Sequence, residues 1–347
     1  MKKILVIRFS SIGDIVLTTP VIRCIKEQLK GIELHYLTKN NFKGILETNP
    51  HIDKIHTIER KVSEIIPQLK KEDFDFIVDL HHNLRTLQVK QALRKPHSSF
   101  NKLNIEKWMM VSLKINRLPD EHIVDRYFET VEKLNVKNDG KGLDYFIPAK
   151  DEVNIASLPA THRNGYIGFV IGAAHATKQL PIEKIISICK KLNQPVVLLG
   201  GKEETEKGEQ IKKAVGELIF NSCGKYNLNQ SASLVKQAQK IITHDTGLMH
   251  IAAAFQKPIV SVWGNTIPEF GMYPYYGDKG QETWDRGQGT GGSKGQEIKE
   301  SRSKIIEVKN LSCRPCTKIG FDKCPRRHFK CMNEISEEQV VRIVQSL

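Results

Sequence analysis

Apolar strand segments alternate with helical patterns twice along this chain, and this repeat constrains the fold more than any other feature. In the first half, strands are expected at 3–9, 32–37, 52–58 and 74–80, with helices from residue 20, at 62–69 and at 84–93. In the second half, strands are expected at 166–171, 195–199, 218–221, 241–243 and 258–263, with helices at 182–192, 203–215, 247–255 and 336–347. Such alternation is typical of parallel strands joined by right-handed crossovers. We therefore predict an α/β protein with two successive doubly wound, Rossmann-like units.

The length agrees with this division. At about 150 residues per domain, 347 residues make two domains, and we predict them at 1–155 and 156–347. Charged residues make up 27% and hydrophobic residues 39% of the chain. This balance excludes a wholly disordered protein.

The sequence lacks the signals of a membrane or secreted protein. Its apolar runs are far shorter than the roughly 18 residues of a membrane span. Arg8 interrupts the first apolar run, which argues against a secretory leader. We expect a cytoplasmic protein whose seven cysteines are free thiols or metal ligands.

Basic residues exceed acidic residues by 53 to 39, a formal net charge of +14. Such an excess favours anionic partners, namely nucleotides, nucleic acid or an anionic membrane surface. Solubility alone is the alternative explanation.

The strongest local signal is THDTGLMHIAAA at 243–254. A strand is expected to end near Asp245, and a helix to begin directly after it. Thr246 and Gly247 would then present backbone N–H groups at the helix N-terminus, which suits a phosphate group. His250, in the first turn, could point at the same ligand. The alternative is an Asp/Thr cap on a buried helix.

A second signal is the loop SSIGD at 10–14, which follows the first strand. Ligands of open α/β sheets bind beyond the carboxyl ends of the strands, so Ser11, Gly13 and Asp14 are expected at such a site. A carboxylate in a cleft can accept the proton of a substrate hydroxyl. The alternative for Asp14 is a cap on the next helix.

The opening ILVIRFSSIGDIVLTTPVIRCIK and the later HDTGLMHIAAAFQKPIVSVWGNT resemble the ADP-heptose:lipopolysaccharide heptosyltransferases of glycosyltransferase family 9. Both motifs stand in the right order and in the right halves of the chain. The resemblance implies a GT-B fold, in which two Rossmann-like domains face each other across a cleft. The N-terminal domain would bind the acceptor, and the C-terminal domain would bind the nucleotide-sugar donor.

The resemblance also implies a mechanism that inverts the anomeric centre and requires no metal, so no cofactor is expected. Asp14 matches the proposed general base of the family. Asp245 would hold sugar hydroxyls, while Thr246 and Gly247 bind the diphosphate, and His250 completes the donor motif.

The loop at 172–181 matches another donor-site position of the family. Lys178 corresponds to a lysine that offsets the charge of the leaving diphosphate, and an exposed loop lysine is its alternative role. Ala173 and Ala174 stand where the family often has phosphate-binding hydroxyls, and Thr177 could compensate for them.

Two acidic residues follow the strand at 195–199. In the family an acidic residue of this loop contacts the ribose, and we choose Glu203, with Glu204 as the alternative. A carboxylate that stabilises the start of a helix explains either residue equally well.

The acceptor half offers its own candidates. His81 and Arg85 follow the strand at 74–80 and would bind phosphate or carboxylate groups of a lipid-A-linked core sugar. A solvated basic face is the alternative. Trp108 and the apolar residues after it could contact lipid, but we interpret them as core.

Two further segments stand out near the end of the chain. The glycine-rich stretch at 277–304 is expected to be a surface loop. Cys313, Cys316, Cys324 and Cys331 could form a structural zinc site. Their irregular spacing also fits free thiols.

The sequence thus predicts a transferase that moves heptose from ADP-heptose to a lipopolysaccharide core acceptor at the inner face of the cytoplasmic membrane. Another nucleotide sugar as donor, or a non-catalytic sugar-nucleotide sensor, is an alternative. A basic nucleic-acid-binding protein with a zinc knuckle is another, but no helix-turn-helix or RNP motif supports nucleic acid as a partner.

Overall fold

The structure, a computed structural model, describes residues 2–279 and 302–347. Its strands are β1 (Lys2–Ile7), β2 (Ile32–Lys39), β3 (Lys54–Ile58), β4 (Phe76–Asp79), β5 (His97–Ser99), β6 (Ile167–Val170), β7 (Val196–Leu199), β8 (Ile219–Asn221), β9 (Lys240–His244), β10 (Ile259–Trp263) and β11 (Ser303–Glu307). They form two separate parallel sheets, with the orders β3-β2-β1-β4-β5 and β11-β10-β9-β6-β7-β8. The predicted α/β class with two doubly wound halves is confirmed.

The helices connect and cover these strands. They are α1 (Ile12–Val16), α2 (Thr19–Gln28), α3 (Ile66–Glu72), α4 (Leu84–Leu93), α5 (Asn104–Trp108), α6 (Ile123–Phe128), α7 (Ile182–Leu192), α8 (Thr205–Val215), α9 (Leu228–Gln237), α10 (Gly247–Ala254), α11 (Lys330–Asn333) and α12 (Glu337–Ser346). Short 3₁₀ turns join several of them, including Lys202–Glu204 and Ala176–Lys178. None of the helices in the described ranges is long and apolar enough to cross a bilayer.

Local sequence explains the helices whose bounds were predicted. Asn83 caps α4 because its side chain accepts a hydrogen bond from the Thr86 N–H. Ser336 caps α12 in the same way through the Gln339 N–H. The residues of α7 bury Ile185, Ile188 and Leu192 on one face, as the 3.6-residue period requires.

Three predictions were wrong in detail. The helix expected at 62–69 is a 3₁₀ turn at Val62–Glu64 followed by α3 at Ile66–Glu72. Asp14 does not lie in a loop but is the third residue of α1, a helix of five residues that begins after Ser11. Ser303 and Lys304, assigned to the glycine-rich loop, belong to β11, which pairs with β10. Residues 280–301 of that loop lie outside the described residues.

Each sheet changes its direction of winding beside its first strand. In the first sheet β1 lies between β2 and β4, and in the second sheet β6 lies between β7 and β9. Ligands of doubly wound sheets bind beyond the carboxyl ends of the strands at such switch points. A ligand-binding site is therefore expected at the segments that follow β1, β4, β6 and β9.

The two halves are packed against each other. One hydrophobic cluster contains Ile15 and Val16 of α1 together with Met249 and Ile251 of α10. Around α6, the Ile123 N–H donates to the Gly271 carbonyl, over 2.8 Å. The switch points of both sheets thus meet at a shared boundary.

Candidate active site

Asp14 lies at the carboxyl end of β1 and is held by three donors. The Arg8 Nη2 lies 2.6 Å from Asp14 Oδ1. The Ser11 N–H and hydroxyl donate to Asp14 Oδ2 over 3.0 and 2.9 Å. Burial opposes ionisation of this carboxyl, but the Arg8 charge and the Ser11 hydrogen bonds outweigh it, so the pKa of Asp14 lies below its usual value. Asp14 is therefore ionised and held in one orientation.

Arg8 is a further candidate site residue that the sequence did not single out. It is 7% exposed, and its guanidinium also donates to the Leu80 carbonyl and the Tyr127 hydroxyl, over 2.5 and 3.0 Å. These contacts fix the guanidinium between β1, β4 and α6. The signal was an arginine inside an otherwise apolar strand, directly before the SSIGD motif.

On the opposite side of the boundary, Lys178 and Asp245 form an ion pair. The Lys178 Nζ lies 2.5 Å from Asp245 Oδ2, and the same oxygen accepts a hydrogen bond from the Thr266 hydroxyl over 3.0 Å. The three residues follow β6, β9 and β10, respectively. Thr266 was not predicted, although it belongs to the quoted GNT after β10.

The start of α10 touches the start of α1. A Cβ atom on Gly247 would lie 2.7 Å from Ile12 Cγ2, and one on Gly13 would lie 2.6 Å from His250 Cδ2. The starts of α1 and α10 therefore lie directly against each other across the boundary between the two halves. Glycine is needed at both positions because the helices approach so closely.

His250 and Thr246 both lie at the contact between α1 and α10, but they differ in burial and in hydrogen bonding. His250 is 1% exposed, and its Nδ1 has no partner among the described residues. Burial lowers the pKa of His250 to about 4, so the ring is neutral at physiological pH. Thr246 is the N-cap of α10, with its hydroxyl 3.4 Å from the Thr243 hydroxyl rather than on a helix N–H.

Thr177 has a structural partner. Its hydroxyl donates to the Phe321 carbonyl over 2.9 Å and accepts from the Phe321 N–H over 2.8 Å. The same segment supplies Arg314, which donates to the Gly264 and Thr266 carbonyls over 2.6 and 2.8 Å. The segment at 313–331 thus braces Lys178 and Thr266 from outside, and Thr177 is engaged in that contact.

Asn265 adds an unexplained polar group beside Thr266. It is 1% exposed, and neither its side-chain nitrogen nor its oxygen has a partner among the described residues. A buried amide without partners is costly, which makes Asn265 a further candidate for ligand contact at the end of β10.

Glu203 and Glu204 differ in position. Glu203 is exposed, whereas Glu204 is half-buried, and its Oε2 accepts from the Gly201 N–H over 2.8 Å. A Cβ on Gly172 would lie 2.6 Å from the Glu204 carboxyl carbon. Glu204 therefore lies over the loop after β6. This geometry favours Glu204 over Glu203 as the candidate for the ribose contact.

His81 and Arg85 face different surroundings. The His81 ring packs edge-on against Phe9, with 5.4 Å between ring centroids. Burial, followed by the Arg8 charge, lowers the pKa of His81 to about 4. It therefore offers an anion no positive charge at neutral pH. Arg85 is exposed and lines a groove of about 470 Å³ with Arg60 and Lys61.

Asp79 organises the loop that carries His81. It is fully buried, and its carboxylate accepts from the His82 N–H over 2.7 Å and pairs with Lys90 at 2.8 Å. Its signal in the sequence was an acidic residue at the end of an apolar strand.

The apolar patch at 105–113 is not core. Trp108 is 58% exposed, Ile105 is 71% exposed and Leu113 is 51% exposed, so the interpretation of Trp108 as core was wrong. Lys102 and Lys107, beside this patch, are close enough to Asp14 to interact with its charge.

The four clustered cysteines do not converge. Among the described residues, their sulfur atoms do not form a set of three or more candidate ligands within 4.8 Å of one another. Cys313 Sγ lies 3.7 Å from His328 Nε2, and Cys316 donates to the Cys313 carbonyl over 3.1 Å. Burial raises the pKa of Cys316 to about 11 and that of Cys331 to about 12, so both are thiols when no metal ion is bound. Among the described residues, the geometry thus favours free thiols over the zinc alternative.

A family model and a curated relative both match most of this chain. The model of glycosyltransferase family 9 (heptosyltransferase) matches residues 62–289. The chain is 24% identical to lipopolysaccharide heptosyltransferase 1 of Campylobacter coli over 369 positions, which cover 99% of this chain and 98% of that protein.

Two solved structures share the fold. A glycosyl transferase family 9 protein from Veillonella parvula has a TM-score of 0.74 and 21% identity, with 99% of this chain and 96% of that chain covered. The E. coli ADP-heptose LPS heptosyltransferase II has a TM-score of 0.70 and 19% identity, with 100% and 98% covered. The architecture is thus GT-B, and with more than half of its length matched by the family model, the chain is a glycosyltransferase that belongs to glycosyltransferase family 9.

Proposed function

We propose that this enzyme transfers a heptosyl group from ADP-heptose to a lipid-A-linked lipopolysaccharide core acceptor, with inversion at the anomeric carbon. The observation that carries the proposal is the contact between α1 and α10. It sets the ionised Asp14 opposite the helix start that follows Asp245. A base and a diphosphate-binding element on facing lobes are what in-line displacement at a sugar carbon requires.

In this mechanism Asp14 accepts the proton of an acceptor hydroxyl. The oxygen then bonds to the anomeric carbon while the bond from that carbon to the diphosphate breaks, and ADP leaves. Lys178 offsets the charge that develops on the leaving phosphate, and the N–H groups at the start of α10 bind the diphosphate. Asp245 binds sugar hydroxyls, and Glu204 or Glu203 binds the ribose. Because these residues supply the charge, the proposed mechanism requires no metal.

The test compares donors first. ADP-heptose is expected to raise the melting temperature of the purified enzyme because it binds the native state selectively. A larger shift with UDP- or GDP-sugars would identify another donor. Binding of a nucleotide sugar without any transfer would indicate a sensor.

Asp14→Asn then tests the chemistry. We expect transfer to fall by about 10²–10⁴-fold, the usual contribution of a general base, while the donor-induced thermal shift persists. Asp73→Asn is the matched control because Asp73 is exposed and pairs with Lys95. Equal activity of the two variants would refute the role of Asp14.

The acceptor is expected to be anionic. Arg60, Lys61 and Arg85 line the same groove on the acceptor lobe, and clustered cations of this kind bind phosphate or carboxylate groups. Arg85→Gln should raise the KM for a phosphorylated acceptor more than the KM for the donor. An equal rise of both would contradict an acceptor role.

We further propose that the enzyme works at the inner face of the cytoplasmic membrane as a peripheral protein. Trp108, Ile105 and Leu113 form an exposed apolar patch flanked by Lys102 and Lys107, a combination that suits an anionic lipid surface. Trp108→Ser should reduce sedimentation with anionic vesicles. Unchanged sedimentation, or equal binding to zwitterionic vesicles, would contradict this surface.

A further inference from the structure

Two buried histidines and a glutamate converge in the acceptor lobe. His35 lies on β2, His56 on β3 and Glu72 at the end of α3. One ligand atom from each lies within 4.8 Å of the other two. His35 is 0% and His56 is 1% exposed. These three residues are called the His–His–Glu cluster.

One side of the His–His–Glu cluster is apolar. Residues on the same face of the sheet include Leu5, Leu37 and Ile58, and the Phe74 ring packs edge-on against His35 with 5.1 Å between ring centroids. Burying two imidazoles in such a place is unfavourable unless their nitrogens are used. His56 Nδ1 has no partner among the described residues.

The hydrogen bond to Glu33 indicates which nitrogen of His35 can coordinate a metal ion. His35 Nε2 lies 2.7 Å from Glu33 Oε1. The carboxylate can only accept, so Nε2 carries the proton and Nδ1 presents a lone pair. A carboxylate that orients a histidine in this way is the usual outer partner of a metal-binding imidazole.

We propose that the His–His–Glu cluster binds one divalent first-row transition metal ion, such as Zn²⁺, through His35 Nδ1, His56 Nε2 and a carboxylate oxygen of Glu72. Two imidazoles and one carboxylate are a donor set suited to zinc, and water would complete the tetrahedron. Such a site would tie β2 and β3 to α3 and so stiffen the acceptor lobe.

Binding requires two local changes. His35 Nδ1 and His56 Nε2 are hydrogen-bonded over 2.9 Å. Zn–N bonds of about 2.0–2.1 Å in a tetrahedron place two nitrogens about 3.3 Å apart. The two rings must therefore separate slightly, and the His56 proton must move from Nε2 to Nδ1, with no net change in protonation.

Glu72 must also release a lysine. Its carboxylate pairs with Lys3 at 3.1 Å and with Lys54. The two ammonium groups compete with a metal ion for the same oxygens. Lys54→Met should therefore tighten metal binding, whereas a purely structural cluster gives no such gain.

The experiment titrates the chelator-treated full chain with ZnCl₂ and, separately, with Co²⁺. One equivalent is expected to bind and to raise the melting temperature. The Co²⁺ spectrum should show d–d bands without sulfur charge transfer, which distinguishes this site from Cys313, Cys316, Cys324 and Cys331.

His56→Gln should abolish the thermal shift, and Glu33→Ala should weaken binding by about 10–100-fold, as loss of an outer partner does. Glu72→Gln is the second ligand variant should His56→Gln fail to fold. His97→Gln, at an exposed histidine of the same lobe, is the matched control. Absence of stoichiometric binding would overturn the proposal. A sulfur-dominated Co²⁺ spectrum that both ligand variants leave unchanged would overturn it as well.

Discussion

At the scale of single residues, Arg8 decides the protonation state of Asp14. Burial alone would favour the neutral carboxyl, and the guanidinium at 2.6 Å reverses that preference. Burial disfavours the charged form of Arg8 too, and its contacts with Asp14 and Tyr127 offset that cost. Arg8 is thus a positioning residue for the proposed base.

Arg8→Met should raise the pKa of Asp14 because burial would remain and the compensating charge would be lost. Asp14 must be ionised to accept a proton, so the acidic limb of the kcat–pH profile should move to higher pH. Arg342→Met, at an exposed position on α12, is the control and should leave the profile unchanged. A profile that does not move in Arg8→Met would show that Asp14 is not the titrating base.

Lys178→Met should lower kcat by about 10²–10³-fold, comparable to the loss of one preorganised donor in a transition state. The KM for the acceptor should change little because Lys178 lies on the donor side. Lys190→Met, on the exposed face of α7, serves for comparison. A loss confined to KM for the donor would indicate ground-state binding only.

At the scale of elements, the contact between α1 and α10 depends on two residues without side chains. Gly13→Ala would place a methyl group 2.6 Å from the His250 ring. Alanine favours a helix over glycine by about 0.5–1 kcal/mol, so a net loss of stability would come from the clash.

We expect Gly13→Ala to destabilise the protein by about 1–3 kcal/mol, as overpacking does, and to lower transfer. Gly44→Ala is the control because nothing lies within 4 Å of its Cβ position. Urea denaturation measures both. Similar denaturation midpoints for the two variants would mean that the helices can separate at no cost.

The elements show which parts of this architecture can be read from sequence. Apolar periodicity located α4 and α7 because each is a regular segment with its own cap or buried face. It missed β5 and β11, two strands with few buried residues. β5 and β11 form because they pair with β4 and β10, respectively. A local sequence pattern does not encode such pairing.

In the candidate site, too, positions set by local motifs could be predicted, whereas long-range contacts could not. The sequence predicted that Asp14 and Asp245 follow strands, and the structure places each beside the switch point of its own sheet. The bond of Thr177 to Phe321, and that of Arg314 to Thr266, join residues far apart in the chain. Such long-range contacts could not be predicted from one sequence.

At the scale of the whole molecule, buried imidazoles set the response to acid. Burial lowers the pKa of His122 and His244 to about 3, and that of His56, His81 and His250 to about 4. In the unfolded chain each would take a proton near pH 6.5. Between these values the unfolded state binds more protons, so stability rises with pH.

The free energy of unfolding should therefore fall as pH drops from about 6.5 towards 4, with each histidine adding up to about 1.4 kcal/mol per pH unit. Urea midpoints measured across this range test the slope. His122→Asn, which keeps a cap acceptor for the Val124 N–H, should flatten the slope. The exposed His97→Gln should not. A constant midpoint between pH 7 and 5 would contradict this account.

The ion pair between Lys178 and Asp245 has a consequence for selectivity among small molecules. Lys178 and Asp245 already neutralise each other. Orthophosphate would therefore gain little binding energy from Lys178, because pairing with it would leave the Asp245 carboxylate without its cation. A free monosaccharide would satisfy Asp245 but leave the Lys178 charge without a partner. In the proposed mechanism, only a compound that joins phosphate and polyol in one molecule compensates both partners, so free phosphate and free sugar are expected to bind weakly.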